Sequence, residues 1–320
     1  MDAADLDLFA AATERLTTMA DPELLTAELV DAGLAPELAA DPALAGALLQ
    51  AQGRIVGRST LLDLLMAGPD HRPGLRVVLP MPGSRQPPGV RAGKTVAVRG
   101  IALSADGATH FLVHSGSGAR VLLAAELSVV PVEAWDPELR PAIVSGAVDG
   151  GPAWGSLARD WETVAELAAV ALGHELLGLG RRALEIAIAH QSDRYQFGRR
   201  LVVAQSVRHR LADVEVELVA AEAVLAASGN AGGEVRAHTA KAVAARAALA
   251  AAAAAQQLCG AMGFTTEYGL HRVVRRVRML DALGGNAEEL QLEIGSLLAA
   301  QGGLPAPIEL AEALEEARRA

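Results

Sequence analysis

The sequence predicts an α+β fold that is mostly helical, with N-terminal helices, then a small antiparallel β domain, then a C-terminal bundle of long helices. Three observations predict it. Apolar residues recur every three or four positions in both halves of the chain, short β-branched runs alternate with turn residues in 94–147, and proline and glycine concentrate in 67–93. We place the domain boundaries at 1–70, 71–150 and 151–304, with a tail at 305–320.

The N-terminal part predicts four short helices within residues 2–66, separated by Asp21-Pro22 and by the Gly-Leu-Ala-Pro sequence at 33–36. The following segment, 67–93, has the composition of loops or an edge strand, because proline cannot donate a ladder hydrogen bond. Predicted strands of the β domain cover 95–98, 110–113, 120–123 and 128–132.

The C-terminal part predicts long helices with short connections, at 161–189, 201–228, 233–260, 270–282 and 287–299. A helix of 25 residues is about 40 Å long at 1.5 Å per residue. Helices of this length favour a bundle that can also pack against another subunit.

Composition excludes several classes of protein. A formal net charge of −10 argues against a nucleic-acid binder, whose affinity depends on neutralising phosphates. The single cysteine, Cys259, cannot form an intrachain disulfide, and residues 1–20 do not resemble a signal peptide, so we expect a cytoplasmic protein. The most apolar run, 242–256, is shorter than the ~20 residues of a membrane span, and its alanines favour a closely packed internal helix instead.

Three short motifs favour structural interpretations. Residues 178–183 match the dinucleotide-binding pattern G-x-G-x-x-A but lie inside a predicted helix, so we expect close helix packing there. His110 and His114 share one face of a predicted strand about 13 Å apart, which is too far for one metal ion, and we predict no metal site. The Gly-Ser-Gly sequence at 116–118 lacks the strand-to-helix setting of a nucleophile elbow and predicts a turn.

The stretch 191–198 separates two amphipathic helices and carries unusual chemistry. Arg194 offers a planar fork of donors suited to phosphate, Gln196 an amide, Phe197 a ring and Gly198 an unhindered backbone. These residues alone also fit a helix terminus with a surface arginine. A second stretch, 257–263, follows the alanine-rich helix and holds an amide and two glycines, so the two stretches could enclose a long anionic ligand.

The C-terminal half resembles an acyl-CoA dehydrogenase. The residues that carry the resemblance are 183–185, 193–198, 204–205 and 211–213, followed by 257–263, 266–268 and Arg275. It implies helical, β and helical-bundle domains in that order, and FAD bound across a subunit interface. It also implies that the FAD pyrophosphate and adenosine are held by Arg194, Gln196, Phe197, Gln205, Gln257, Gly260 and Ala261.

The same resemblance reveals a missing catalytic base. The family's reaction needs a carboxylate that removes a proton from the acyl-CoA. Gly284 and Ala168 occupy the two places where members of the family carry it, and Glu166 is an outside candidate close to the second. The strand segment that contacts the flavin in the family is echoed poorly by the sequence at 81–84.

These departures resemble the short, non-catalytic β-type subunit of the α2β2 acyl-CoA dehydrogenases of steroid-catabolising bacteria. The resemblance implies that a catalytic α-type partner supplies the glutamate and holds most of the acyl-CoA. Two alternatives remain. One is a homo-oligomeric flavoenzyme that uses Glu166 or another base, and the other is a structural paralogue that binds no flavin.

Overall fold

The structure is a computed structural model that describes residues 42–84, 87–114, 118–149, 160–228 and 233–300, together with Leu38 and Gly302. Most of the predicted N-terminal helices, the turn residues 116 and 117, and the predicted tail at 305–320 lie outside the described residues. The described helices are α1 (Pro42–Ile55), α2 (Leu61–Ala67), α3 (Trp161–Asp193), α4 (Gln205–Ser228), α5 (Glu234–Cys259), α6 (Leu270–Ala282) and α7 (Ala287–Ala300).

The β domain contains two sheets. The described strands are β1 (Leu75–Val77), β2 (Gly89–Ala92), β3 (Thr95–Ala102), β4 (His110–His114), β5 (Ala119–Leu123), β6 (Ser128–Pro131) and β7 (Ala142–Asp149). One sheet has the order β2-β3-β7-β6 and is antiparallel throughout, whereas the other has the order β1-β4-β5. Its edge strand β1 runs parallel to β4, so the predicted antiparallel arrangement holds for every described pair of this domain except that one.

The two sheets enclose a core of their own. Phe111 and Val113 of β4 pack with Val98 of β3 and Val144 of β7, all of them buried. Successive side chains of a strand point to opposite faces, and the apolar side chains on the inner faces fill the space between the sheets.

Helix α3 is the central element of the bundle. Its first turn is capped by Asp160, whose carboxylate accepts the Thr163 backbone N–H at 2.8 Å. A methyl group on Gly178 would lie 2.1 Å from the Gln50 carbonyl oxygen of α1, and one on Gly180 would lie 2.6 Å from Leu218 of α4. This confirms close packing, rather than dinucleotide binding, for the glycine motif.

Helix α5 packs through alanines. Thirteen of its residues are buried, and eleven of these are alanine, which allows its neighbours to approach closely. By length and composition alone, Trp161–Asp193 and Glu234–Phe264 could each cross a membrane. The second of these helices is longer than the apolar run at 242–256, from which the sequence had predicted a segment too short to span a membrane. Of their most apolar stretches, 67% and 44% are buried inside the protein, as expected of core helices.

A buried ionic network joins the bundle to the β domain. Arg276 of α6 is bonded to Asp136, which precedes a short turn between β6 and β7, and it donates to Glu175 of α3 at 3.2 Å. The second oxygen of Glu175 accepts a hydrogen bond from Gln52 of α1 at 3.0 Å. Burial raises the pKa of Glu175, while Arg276 opposes that rise. Four separate parts of the chain thus depend on one arginine.

Candidate functional site

Helix α3 ends in a tight hairpin that presents the predicted phosphate-binding turn. The helix continues through Asp193, so residues 191–193 are helical rather than part of the interruption that the sequence indicated. Strands β8 (Tyr195–Gln196) and β9 (Arg199–Arg200) then pair, with Phe197 and Gly198 between them at φ values of 55° and 72°. Two consecutive positive φ values match the turn type that suits a two-residue hairpin.

Phe197 is held in an unusual conformation. A bulky side chain rarely adopts a positive φ, and such strain is often found at functional positions. Phe197 is 91% exposed, and its neighbour Tyr195 is 63% exposed. The tyrosine hydroxyl donates to the Gly198 carbonyl at 2.5 Å, which fixes the hairpin. The turn therefore presents two exposed aromatic residues to its surroundings.

The second predicted segment lies beside this turn. Gln191 of α3 donates to the Leu258 carbonyl near the end of α5 at 2.6 Å. The rings of His190 and Tyr268 meet edge to face, with centroids 5.3 Å apart. The structure therefore brings 194–198 and 257–263 to the same end of the bundle, and the Arg194 carbonyl also accepts from Leu201, just before α4 and Gln205.

The residues at this end fit an anionic ligand. All seven predicted FAD-contacting residues, Arg194, Gln196, Phe197, Gln205, Gln257, Gly260 and Ala261, are exposed. Within the described part of the chain the Arg194 guanidinium has no ion-pair partner. The backbone of Gly260 is open, since a methyl group placed there would meet nothing within 4 Å. Positive charge, amide donors and accessible backbone are the groups that recognise phosphate.

The two positions at which the family carries its catalytic base line one cavity, which is separate from this turn. It has a volume of about 460 Å³ and is lined by Ala168 of α3, by Gly284, which follows α6, and by Glu166. Ser84 lines it too. This serine ends the segment 81–84, which only poorly resembles the flavin-contacting strand of the family. The structure thus brings together residues that only the resemblance had linked.

Glu166 is engaged by the start of a helix. Its Oε2 atom accepts the backbone N–H of Gly233 at 3.0 Å, immediately before α5. A carboxylate at this place is a favourable partner for the helix dipole. The structure thus holds the carboxylate of Glu166 at the start of α5.

Lys241 was not identified from the sequence. Its side chain is fully buried in α5, and its ammonium group donates to the carbonyls of Asp281, Leu283 and Gly285. Burial lowers the pKa of Lys241 to about 8, while Asp281 and Glu289 oppose this change. The lysine therefore anchors the loop that carries Gly284. The available signal was a single lysine within an alanine-rich helix whose other cations are arginines.

Other carboxylates and histidines surround these positions. The cavity is also lined by Glu162, Glu234, His238, Glu289 and Glu293, none of which was predicted from the sequence. The two histidines of β4 bond to separate neighbours: His110 to the Thr109 hydroxyl at 2.8 Å and His114 to the Gly89 carbonyl at 2.6 Å.

Comparisons with known proteins place this architecture. Residues 163–296 match the acyl-CoA dehydrogenase C-terminal domain. Acyl-CoA dehydrogenase IpdE2 of Mycobacterium tuberculosis is 35% identical over 113 residues, which cover 35% of this chain and 36% of that protein. The chain thus spans about a third of the length of this curated relative.

Solved structures cover nearly all of the chain. A variant of the Tcur3481-Tcur3483 steroid ACAD has a TM-score of 0.74 at 26% identity, covering 93% of this chain and 96% of that one. The ChsE4-ChsE5 complex from Mycobacterium tuberculosis has a TM-score of 0.75 at 19% identity, covering 96% and 99%, and so shows the fold. Residues 163–296 thus match the C-terminal domain of the acyl-CoA dehydrogenases, and nearly the whole chain has the acyl-CoA dehydrogenase fold.

Proposed function

We propose that this chain is the β-type subunit of a heterotetrameric, FAD-dependent acyl-CoA dehydrogenase. Its own task is to hold the pyrophosphate and adenosine of FAD with the residues at the α3–α4 turn and the end of α5. The catalytic α-type partner supplies the glutamate base and most of the acyl-CoA pocket. FAD, when bound, supplies the acceptor for the hydride that leaves the acyl chain.

The observation that carries this proposal is the separation of two incomplete half-sites. Ala168 lines the cavity near the start of α3 and Arg194 follows its end, so at 1.5 Å per residue they lie roughly 40 Å apart. The turn offers exposed phosphate contacts, and in the cavity Ala168 and Gly284 occupy the two places of the base, so neither place has a carboxylate. Each half-site therefore requires groups from another chain.

Exposed aromatic residues support a partner at the turn. Phe197 and Tyr195 project from the hairpin, and Phe264, just beyond the end of α5, is 71% exposed. Aromatic side chains are enriched in the buried parts of interfaces. A cofactor and a partner subunit that cover these rings would account for their exposure in the single chain.

Similar structures support the proposed kind of partner and substrate. One is a complex of two differently named proteins, and another is called a steroid ACAD. We extend these properties to this chain as a proposal, with a bulky steroid-derived acyl-CoA as substrate and the cytoplasm as location.

Copurification tests the proposal. A tagged full-length chain expressed in its native host should copurify with an acyl-CoA dehydrogenase subunit that has a glutamate at one of the two base positions. The complex should contain FAD and oxidise acyl-CoA, whereas the chain purified alone should do neither. Stoichiometric FAD and acyl-CoA oxidation by the isolated chain would refute the division of labour.

A homo-oligomeric flavoenzyme is the second candidate, because Glu166 lines the same cavity as Ala168 and Gly284. Glu166→Gln should abolish turnover if Glu166 is the base, since an amide cannot remove a proton. Glu162→Gln is the matched control, because Glu162 is an exposed carboxylate on the first turn of α3 that also lines the cavity. Turnover that survives Glu166→Gln excludes this candidate.

A further inference from the structure

Three side chains at the edge of the cavity form a cluster that the flavin chemistry does not use. Glu234 and His238 lie one turn apart on α5, and Glu293 lies on α7. One ligand atom from each lies within 4.8 Å of the other two. An i, i+4 pair projects from one face of a helix, so α5 directs both of its side chains towards α7.

The distance between His238 and Glu293 suits a shared cation. His238 Nδ1 and Glu293 Oε2 are 3.8 Å apart, which is too long for a hydrogen bond. Two atoms that each bind one ion at about 2.1 Å can lie up to about 4.2 Å apart. Glu234 is exposed and can complete the set by a change of rotamer.

A buried polar atom points to the same place. His238 Nδ1 is inaccessible to solvent and has no hydrogen-bond partner among the described residues. Buried polar atoms in native proteins are generally satisfied, and a bound ion can satisfy an atom that lacks a protein partner. A cation between His238 and Glu293 would satisfy this nitrogen.

The surrounding charge favours a cation as well. Glu162, Glu166 and Glu289 line the same cavity as the three candidate ligands. The ammonium group of Lys241, which also lines it, is committed to three backbone carbonyls. The local field is therefore negative, which raises the local concentration of cations.

We propose that Glu234, His238 and Glu293 bind one divalent transition-metal ion of the zinc class at the edge of the cavity. One imidazole and two carboxylates suit zinc, and three protein ligands leave a coordination position open for water or a small ligand. The ion joins α5 to α7. This site is independent of the proposed FAD contacts, which lie at the other end of the bundle.

The test uses the full-length chain in complex with its copurifying partner, after removal of metals by a chelator. Titration of the stripped complex with Zn²⁺ against a chromophoric competitor should give about one zinc site per copy of this chain. Zn²⁺ should also raise the melting temperature of the complex. His238→Ala and Glu293→Gln should each weaken this site by at least about tenfold. His209→Ala, which removes an exposed histidine of α4, is the control and should leave it unchanged.

Glu234→Gln protects the test against misfolding, since this exposed side chain contributes little to the core. It should retain the fold by circular dichroism and still weaken zinc binding. The proposal is overturned if the stripped complex gains no such site, or if His238→Ala and Glu234→Gln bind zinc as tightly as the unaltered complex.

Discussion

Replacement of Arg194 by alanine tests the cofactor proposal most directly. Arg194 is exposed, and its guanidinium has no ion-pair partner within the described residues, so the substitution should change the free energy of unfolding by less than about 0.5 kcal/mol. A charge-assisted contact with phosphate contributes about 1.5–3 kcal/mol. Its loss should therefore weaken FAD binding roughly 10- to 150-fold.

The assay is FAD retention by the copurified complex, followed by equilibrium titration of the stripped complex with FAD. Arg194→Lys should give an intermediate affinity, because lysine keeps the charge but lacks the planar fork. Arg91→Ala, at an exposed arginine of β2, is the matched control and should bind FAD normally. An Arg194→Ala complex whose FAD affinity stays within threefold of the Arg91→Ala complex would refute the reasoning and favour a structural paralogue.

Three further predictions concern stability, measured by urea denaturation. Gly178→Ala should destabilise the chain by more than about 1 kcal/mol, because its methyl group would meet the α1 backbone. Gly295→Ala, with open space around it, should stabilise the chain by up to about 1 kcal/mol. Equal effects of the two substitutions would contradict close packing at Gly178. Burial lowers the pKa of His174 from 6.5 to about 4, so only the unfolded state gains a proton there as the pH falls between these values. The native chain should lose up to about 3 kcal/mol relative to His174→Gln over this range, and a pH-independent difference would contradict it. Arg276→Met should lower the free energy of unfolding by about 3–5 kcal/mol, because two buried carboxylates lose their partner. The same change at the exposed Arg272 should lower it by under about 1 kcal/mol. Similar losses for the two variants would show that the buried network contributes little to stability.

The fold was largely predictable because its periodicities are strong. The four predicted strands and the five long helices of the C-terminal part are confirmed, with α6 found at its predicted bounds. Strand β7 was not predicted as a separate strand, although it lies between β3 and β6. Its sequence, Ala-Ile-Val-Ser-Gly-Ala-Val-Asp, holds a serine and a glycine that weaken the β-branched signal, and only pairing with both neighbours specifies it.

The site was predictable only in part, for a reason of distance along the chain. The turn at Arg194 has a local sequence signature, and the structure forms it as a hairpin with exposed side chains, while its contact with FAD remains a prediction. Glu234 and Glu293 are 59 positions apart, so no local pattern could place them together. Lys241 gave no periodic signal, because its partners are backbone carbonyls that any sequence could provide.

Helix α3 fixes the spacing of the proposed composite site. It carries the cavity near its first turns and the hairpin at its end, and a continuous helix has no hinge to adjust either one. Deletion of a single residue from its middle would shorten the helix by about 1.5 Å and rotate one end against the other by about 100°. A seven-residue deletion would nearly restore the rotation but shorten the helix by about 10 Å. The length of α3 therefore has to match the distance that the proposed FAD spans from one subunit to the next.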